Sequence, residues 1–170
     1  MKSRLPFVYS FPPVVSPNSK VLILGSMPGE VSLKAQEYYA HPRNAFWRIM
    51  GKLFGAGLSL PYQDRLAALD NVGIALWDSL RVCTRPGSLD SAIRDEVAND
   101  FAALFASFPE ITHVFFNGAK SETAFRRRVL PAPTQPKHVF ARLPSTSPAH
   151  AGMTFDEKVE RWRAVAKALS

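Results

Sequence analysis

The chain has 170 residues, a formal net charge of +7, 46% hydrophobic residues and 21% charged residues. This length suits one domain with a sizeable core, so we expect a single domain over residues 1–170. Cys83 is the only cysteine, which excludes a disulfide framework and a cluster held by several cysteines.

Targeting and metal-binding signals are weak. No apolar run reaches the roughly 20 residues of a membrane span, and prolines interrupt the apolar part of residues 1–15, so we expect a cytoplasmic protein without a membrane partner. The four histidines show no paired ligand spacing. The sequence gives no reason to propose a metal or another cofactor.

The first half of the chain predicts two strands and two helices. The apolar run 20–25 ends in glycine and is typical of a buried strand. Residues 44–55 have apolar side chains at helical spacing and a terminal glycine suited to a helix end. Residues 61–73 predict a helix with proline in its first turn, and 73–77 predict a second strand.

The second half continues the alternation. We interpret 78–91 as a polar connection and 92–108 as a helix, and 111–118 as a strand followed by a helical segment. A fourth strand is predicted at 138–145. In the last helix, Thr154 and Glu157 form a capping box.

Strands alternating with helices predict an α/β fold: a single three-layer α/β/α domain with a central, mainly parallel four-stranded sheet. Ligands of such sheets bind beyond the carboxyl ends of the strands. Unusual loops follow three strands, at 25–32, 117–121 and 143–152. Because residues 38–47 follow the first loop, we expect them at the same rim.

The loop after the first strand has the sequence GSMPGEVS. Gly25 and Gly29 allow close approach of a ligand, Pro28 fixes the chain direction, and backbone N–H groups in such a turn can bind carbonyl oxygens or phosphates. It lacks the glycine spacing of a dinucleotide fingerprint and of a P-loop. A tight turn without a ligand is the alternative interpretation.

The loop LPSTSPAHAG places Ser145, Thr146, Ser147 and His150 among prolines. Hydroxyl groups and free amides bind phosphate well, and prolines pre-organise a loop. The alternative is an ordinary Pro/Ser-rich connector. A nucleophilic serine is not favoured, because no Gly-x-Ser-x-Gly motif is present.

The stretch YYAHPRNAFW (38–47) combines aromatic, amide and cationic groups, as binding of a nucleic-acid base requires. Phe46 and Trp47 are in phase with the following helix, so we assign them to the core. Tyr38 and Tyr39 lie outside that pattern and are predicted to be better stacking surfaces.

The basic excess is uneven, since residues 118–170 hold 10 of the 21 Lys and Arg but 4 of the 14 Asp and Glu. A basic third of a chain indicates a polyanionic partner such as nucleic acid. A solvated basic surface is an equally good interpretation of charge alone.

The two motifs together resemble the uracil-DNA glycosylase superfamily. GSMPGEVS with YYAHPRNAFW is similar to the first motif of the mismatch-specific uracil-DNA glycosylases, and LPSTSPAHA looks like the second motif. The variant is most similar to the deoxyinosine (hypoxanthine) DNA glycosylase branch. The resemblance implies a doubly wound α/β domain and flipping of the target base into a pocket.

The resemblance also implies roles for particular residues. Tyr39 matches the aromatic that stacks on the extruded base, and the first loop contacts base and sugar. The second loop pinches DNA phosphates, with its intercalating tip near 149–152. The implied base-binding residues are Gly25, Ser26, Met27, Pro28, Gly29, Tyr39, Asp78 and Asn117, and the implied DNA-binding residues are Ser145, Thr146, Ser147, Pro148, Ala149 and His150.

Met27 departs from the motif, because the family usually has a water-activating Asp or Asn there. A thioether cannot activate water, so the resemblance to the deoxyinosine branch implies that Asn44 takes the catalytic role. Neither motif contains a lysine, which predicts a monofunctional glycosylase without Schiff-base chemistry. Loss of activity is the alternative.

Asp78 follows the second strand, where related glycosylases have an asparagine that recognises a pyrimidine edge. A carboxylate would accept N1–H of hypoxanthine and repel N1 of adenine. Alternatively, Asp78 only caps a turn or pairs with Arg81.

The predicted function is excision of deaminated bases from DNA, hypoxanthine before uracil, by a monomer. The alternatives are a uracil or G:U mismatch glycosylase, an inactive binder of damaged or single-stranded DNA, and a small-nucleotide hydrolase.

Overall fold

The computed structural model describes residues 5–130 and 138–170. In chain order the elements are β1 (Phe7–Tyr9), β2 (Val21–Gly25), α1 (Glu30–Ala35), α2 (Phe46–Phe54), α3 (Tyr62–Val72), β3 (Ile74–Asp78), β4 (Leu80–Thr84), a 3₁₀ turn (Asp90–Ala92), β5 (Arg94–Ala98), α4 (Phe101–Ser107), β6 (His113–Asn117), α5 (Ala119–Arg128), β7 (Val139–Leu143) and α6 (Phe155–Leu169).

The central sheet has four parallel strands in the order β3-β2-β6-β7. Every residue of β2 and β3 is buried, because both faces of these strands are covered. Strand β3 lies on one side of β2, and β6 followed by β7 lies on the other side. The strand order therefore reverses between β2 and β6, and at such a point a crevice opens beyond the carboxyl ends of the two strands. The predicted three-layer α/β/α fold is confirmed.

Alternate residues of the strands supply two separate cores. Val21 and Ile23 pack with α2, α3 and α6 on one face, whereas Leu22 and Leu24 pack with α4 and α5 on the other. Phe46 and Trp47 are almost fully buried in the first core, as predicted. The capping box of Thr154 and Glu157 is also present at the start of α6.

A second, antiparallel sheet of order β1-β4-β5 was not predicted. The interpretation of 78–91 as a polar connection is wrong in its first half, since Asp78 ends β3 and Leu80–Thr84 form β4. Leu80 and Cys83 are completely buried, in a third apolar cluster beneath the first loop. The strand has only five residues, two of them the polar Arg81 and Thr84, so it is a weak signal in the sequence.

The helix predicted at 92–108 is wrong in its first half. Residues Arg94–Ala98 form β5, and the helix occupies only Phe101–Ser107. Asp100 separates the two elements, because its side chain accepts a hydrogen bond from Ala103 N–H and caps α4. Pairing with β4 overrides the weak helical periodicity of the preceding residues.

Candidate active site

One cavity of about 720 Å³ lies beyond the carboxyl ends of the central strands. The three loops at 25–32, 117–121 and 143–152 all contribute to its wall, as does the stretch 38–47, so the predicted common rim is confirmed. Its size falls within the usual range for a small-molecule or nucleoside pocket. Every predicted site residue lines it: Gly25, Ser26, Met27, Pro28, Gly29, Tyr39, Asn44, Asp78, Asn117, Ser145, Thr146, Ser147, Pro148, Ala149 and His150.

Gly25 makes room for the carboxyl group of Asp78 on the neighbouring strand. A Cβ atom at Gly25 would lie 2.5 Å from Asp78 Oδ1 and 3.1 Å from the Tyr39 hydroxyl oxygen. Since the first contact is far shorter than carbon and oxygen tolerate, any larger residue would displace the carboxyl group. The first glycine of the motif and Asp78 therefore belong to one arrangement.

Asp78 is a buried acid without a compensating partner. Its side chain is 3% exposed, and Oδ2 has no hydrogen-bond partner within residues 5–130 and 138–170. Burial, reinforced by the nearby Asp90 carboxylate and opposed by Arg85, raises the pKa of Asp78 to about 7. No bond to Arg81 is present, so the turn-capping and ion-pair alternatives find no support in the described contacts.

Contacts with the β4–β5 region fix the rest of the first loop. Met27 is 6% exposed and packs against Leu80, Cys83 and Ile93, so its thioether serves mainly as a core group. Ser26 Oγ donates to Asp90 Oδ1 at 2.6 Å. The N–H groups of Met27 and Gly29 have no hydrogen-bond partner among the described residues.

Of the two tyrosines predicted to be stacking surfaces, Tyr38 differs from expectation and Tyr39 does not. Tyr38 belongs to the core: it is 4% exposed and its hydroxyl donates to Pro12 O, so the prediction that it is a stacking surface is wrong. Tyr39 is half-buried, lines the cavity and adopts the left-handed backbone region with φ of 55°. Its ring stacks on Phe46 with centroids 4.0 Å apart, so any ligand would have to stack on the opposite face.

Asn44 is fixed by the start of α2. Its Oδ1 accepts a hydrogen bond from Phe46 N–H at 2.9 Å, and its own N–H donates to His41 O. The bond from Phe46 N–H fixes the orientation of the side-chain amide, while Nδ2 of Asn44 has no partner in the described part of the chain. Asn44 therefore presents a donor and one remaining lone pair of Oδ1 to the cavity it lines.

The side chain of Asn117 is hydrogen-bonded to the second loop. Its Oδ1 accepts from Thr146 N–H and its Nδ2 donates to Thr146 Oγ1, both at 2.9 Å. Thr146 O in turn accepts from Ala45 N–H. Asn117 thus ties the second loop to the end of β6, next to the start of α2.

The second loop also satisfies most of its own amides, contrary to the expectation of free N–H groups. Ser147 N–H donates to Ser145 Oγ, Ala149 N–H to Ser147 Oγ, and His150 N–H to Ser147 O. Among the described residues of the loop, the serine hydroxyl hydrogens and the N–H group of Ser145 are donors without an acceptor. From α6, Trp162 Nε1 donates to Pro144 O and Lys158 Nζ to His150 O, so both ends of the loop are anchored.

Comparison with known proteins agrees with this geometry. The family model of the uracil DNA glycosylase superfamily matches residues 12–167. The chain belongs to this superfamily. A hypoxanthine DNA glycosylase of Methanosarcina barkeri is 46% identical over 112 residues, which are 65% of this chain and 71% of that protein. The protein of the same name from Methanosarcina acetivorans is 41% identical over the same shares.

The fold is likewise that of the superfamily. The NMR solution structure of a candidate uracil DNA glycosylase from Methanosarcina acetivorans has a TM-score of 0.79 and 34% identity, covering 96% of this chain and 99% of that one. The described residues contain no group of three His, Cys, Asp or Glu side chains that could hold a metal. They also contain no helix that is long and apolar enough to cross a membrane.

For this superfamily member, sequence reasoning missed one wall of the cavity. Ser88, Leu89, Asp90 and Ser91 line it from the connection between β4 and β5. Arg85, whose side chain is 1% exposed, donates to Pro28 O and lies beside Asp90, so this connection also supports the first loop. The available signal was the short, mostly buried strand at 80–84. Recognising it would have predicted that the following residues, 85–91, lie at the same rim as the other loops.

Proposed function

We propose that the protein removes hypoxanthine from deoxyinosine in DNA, as a monofunctional glycosylase. Its membership of the uracil DNA glycosylase superfamily supports hydrolysis of an N-glycosidic bond, and two relatives carry the name hypoxanthine DNA glycosylase. The observation that carries the proposal is Asp78, a buried and unpaired carboxyl group in the wall of the cavity.

Asp78 provides selectivity for a deaminated purine. When ionised, it accepts N1–H of hypoxanthine, while the free N–H groups of Met27 and Gly29 are donors for O6. Adenine has a lone pair at N1, which the carboxylate repels. A buried polar atom without a partner discriminates strongly between ligands. A ligand that hydrogen-bonds to it offsets the free-energy cost of its burial, whereas a ligand that cannot do so leaves that cost in place.

Extrusion of the base into the cavity places it against the free face of Tyr39. Stacking on an aromatic side chain contributes about 1–3 kcal/mol per base. The two serine hydroxyls of the second loop donate to phosphates on either side of the extruded nucleotide, and the exposed Arg43 at the cavity wall adds a cation. DNA is therefore the proposed partner, and the protein acts on it as a monomer.

Asn44 supports bond cleavage by orienting water and charge. Cleavage of a deoxynucleoside can pass through an oxocarbenium-like sugar, and fixed dipoles stabilise the charges that develop. The remaining lone pair of Asn44 Oδ1 accepts from the attacking water, while Phe46 N–H holds the amide in place. This arrangement requires neither a strong general base nor a covalent intermediate.

The test is incubation with duplexes that contain one deoxyinosine, one deoxyuridine or neither, followed by alkali and gel electrophoresis. We expect strand breaks at deoxyinosine only after alkali, because the product is an abasic site. Breaks without alkali would contradict the monofunctional assignment. Binding without any breaks would instead indicate an inactive binder, and the presence of Met27 where the family usually has a water-activating Asp or Asn would explain the lost activity.

Uracil is the second candidate substrate, because the structural relative is described as a candidate uracil DNA glycosylase. Uracil presents N3–H and O4 in the same donor–acceptor order as N1–H and O6 of hypoxanthine, so Asp78 and the first loop can meet both. Faster cleavage of the deoxyuridine duplex would establish uracil as the main substrate.

A further inference from the structure

Leu89 is a large apolar side chain at the mouth of a polar cavity. It is 60% exposed and lines the cavity beside Ser88, Asp90 and Ser91. Single exposed leucines are common on protein surfaces, and Leu58, at 58% exposure, is one that lies outside the cavity wall. The position of Leu89 at the rim of the site distinguishes it.

The backbone around Leu89 is firmly held. Ser88 Oγ accepts Glu30 N–H at 2.8 Å, Asp90 Oδ1 accepts the Ser26 hydroxyl, and Leu89 O accepts Ala92 N–H at 3.1 Å. Arg85 adds a bond to the first loop beneath. These bonds hold the backbone so that the leucine side chain stays exposed to solvent. On a mobile loop, an apolar side chain could turn inward and become buried.

The second loop offers little apolar bulk at its tip. Of the residues at 149–152, Ala149, Ala151 and Gly152 carry at most a methyl group, and the fourth, His150, has a polar ring; all four are exposed. A methyl group is much smaller than the space that a base leaves in the stack. Extrusion of a base breaks stacking on both sides, and DNA-distorting proteins offset this with inserted apolar side chains such as leucine.

We propose that Leu89 inserts into the DNA base stack and fills the space left by the extruded base. This inference rests on the proposed function, because it assumes that DNA is bound with one nucleotide in the cavity. It assigns to the connection between β4 and β5 a direct contact with DNA, in addition to its support of the first loop.

The test compares Leu89→Ala with the control Leu58→Ala, which removes an equally exposed leucine away from the cavity. Excision is measured under single-turnover conditions on a deoxyinosine duplex and on the same strand without its complement. We expect Leu89→Ala to slow excision about tenfold or more on the duplex and little on the single strand, because only the duplex has a stack to refill. Leu58→Ala should change neither.

Two results would overturn the inference. An equal loss on duplex and single strand would show that Leu89 contacts the extruded base itself. No loss on either would show that it has no role. Leu89→Met should retain most of the duplex rate, since it keeps an apolar side chain of similar volume.

A binding measurement separates this inference from the proposed function. With 2-aminopurine paired next to the target nucleotide, insertion changes its stacking and thus its fluorescence, and no cleavage is needed. We expect a fluorescence change with the unmodified protein and with Leu58→Ala, and a much smaller one with Leu89→Ala at saturating protein. If hypoxanthine is not released, the proposed function fails, yet this comparison still decides the role of Leu89: equal changes in all three proteins would exclude it.

Discussion

In the proposed role, Asp78 links base choice to pH, because burial raises its pKa to about 7 in the folded protein. The carboxyl group is neutral below this value and ionised above it. Only the ionised form both accepts N1–H of hypoxanthine and repels N1 of adenine. We therefore expect hypoxanthine excision by the unmodified protein to rise as pH passes through about 7. In Asp78→Asn this rise should be absent, excision of hypoxanthine should fall more than DNA affinity, and preference should shift toward uracil.

Stability provides an independent check on Asp78. The folded-state pKa lies above the ordinary value of 3.8, so the folded protein binds a proton more tightly than the unfolded chain. The contribution of Asp78 to the free energy of unfolding must then fall as pH rises between these two values, on the order of a few kcal/mol in total. Asp78→Asn should melt at a higher temperature than the unmodified protein at pH 8, and the difference should shrink at pH 5. An equal difference at both pH values would contradict the raised pKa.

Tyr39 is expected to act through its ring. Its buried hydroxyl makes no well-formed hydrogen bond among the described residues and interacts only with the side chain of Asn117, which Thr146 also holds, so Tyr39→Phe should leave excision nearly unchanged. Tyr39→Ala removes the stacking surface and should weaken capture of the extruded base by about tenfold or more. If the phenylalanine variant is as defective as the alanine variant in single-turnover excision, the hydroxyl group is essential and the stacking account is wrong.

Asn44→Ala removes the amide that is held by Phe46 N–H. We expect turnover to fall by about a hundredfold or more, because positioned dipoles contribute that much to similar reactions, while duplex affinity stays nearly the same. Circular dichroism checks that α2 still forms without this side-chain bond. Equal single-turnover rates for variant and unmodified protein would disprove the catalytic assignment.

At the scale of elements, the second loop depends on Asn117. Both polar ends of that side chain bind Thr146, so we propose that Asn117 positions the loop. Asn117→Ala should therefore weaken duplex binding several-fold, whereas the ratio of hypoxanthine to uracil excision stays constant. Asn71, exposed near the end of α3, supplies the control substitution to alanine. A changed base ratio with unchanged affinity would show that Asn117 contacts the base.

The parts of the fold that were predictable have strong local signals. The strand Val21–Gly25 is a continuous apolar run, and α6 has both a capping box and a helical stripe. The strand Arg94–Ala98 has neither, since its side chains are mostly exposed or half-buried and its position follows from pairing with β4. Such pairing is non-local, so a short window of sequence does not reveal it.

The same limit applies to the site. Its motif residues were predictable because family motifs fix their types and order. The burial of Tyr38, the involvement of Asn117 with Thr146 and the wall formed by 88–91 were not, because each depends on a partner distant in sequence. The pairing of Gly25 with Asp78 is of the same kind, as it joins residues on neighbouring strands.

For the whole molecule, the net charge of +7 predicts salt-dependent binding. Each cation that neutralises a phosphate releases a counterion, so affinity for DNA should fall steeply between about 50 and 200 mM salt. Arg43 lies in the cavity wall and forms no ion pair within the described ranges, so Arg43→Ala should reduce the logarithmic slope by about one. Arg163, already paired with Glu160, is the control. A flat salt dependence would argue against DNA as the partner.

The central claim is that this cavity releases hypoxanthine from DNA and spares the normal purine. The most direct measurement is the free base released in a single turnover from matched duplexes that carry deoxyinosine, deoxyuridine or deoxyadenosine at one position, identified by mass spectrometry. We predict hypoxanthine release that is fast and depends on Asn44, slower release of uracil, and no adenine. Release of adenine at a rate close to that of hypoxanthine, or no release of hypoxanthine from a duplex that is demonstrably bound, would contradict the account.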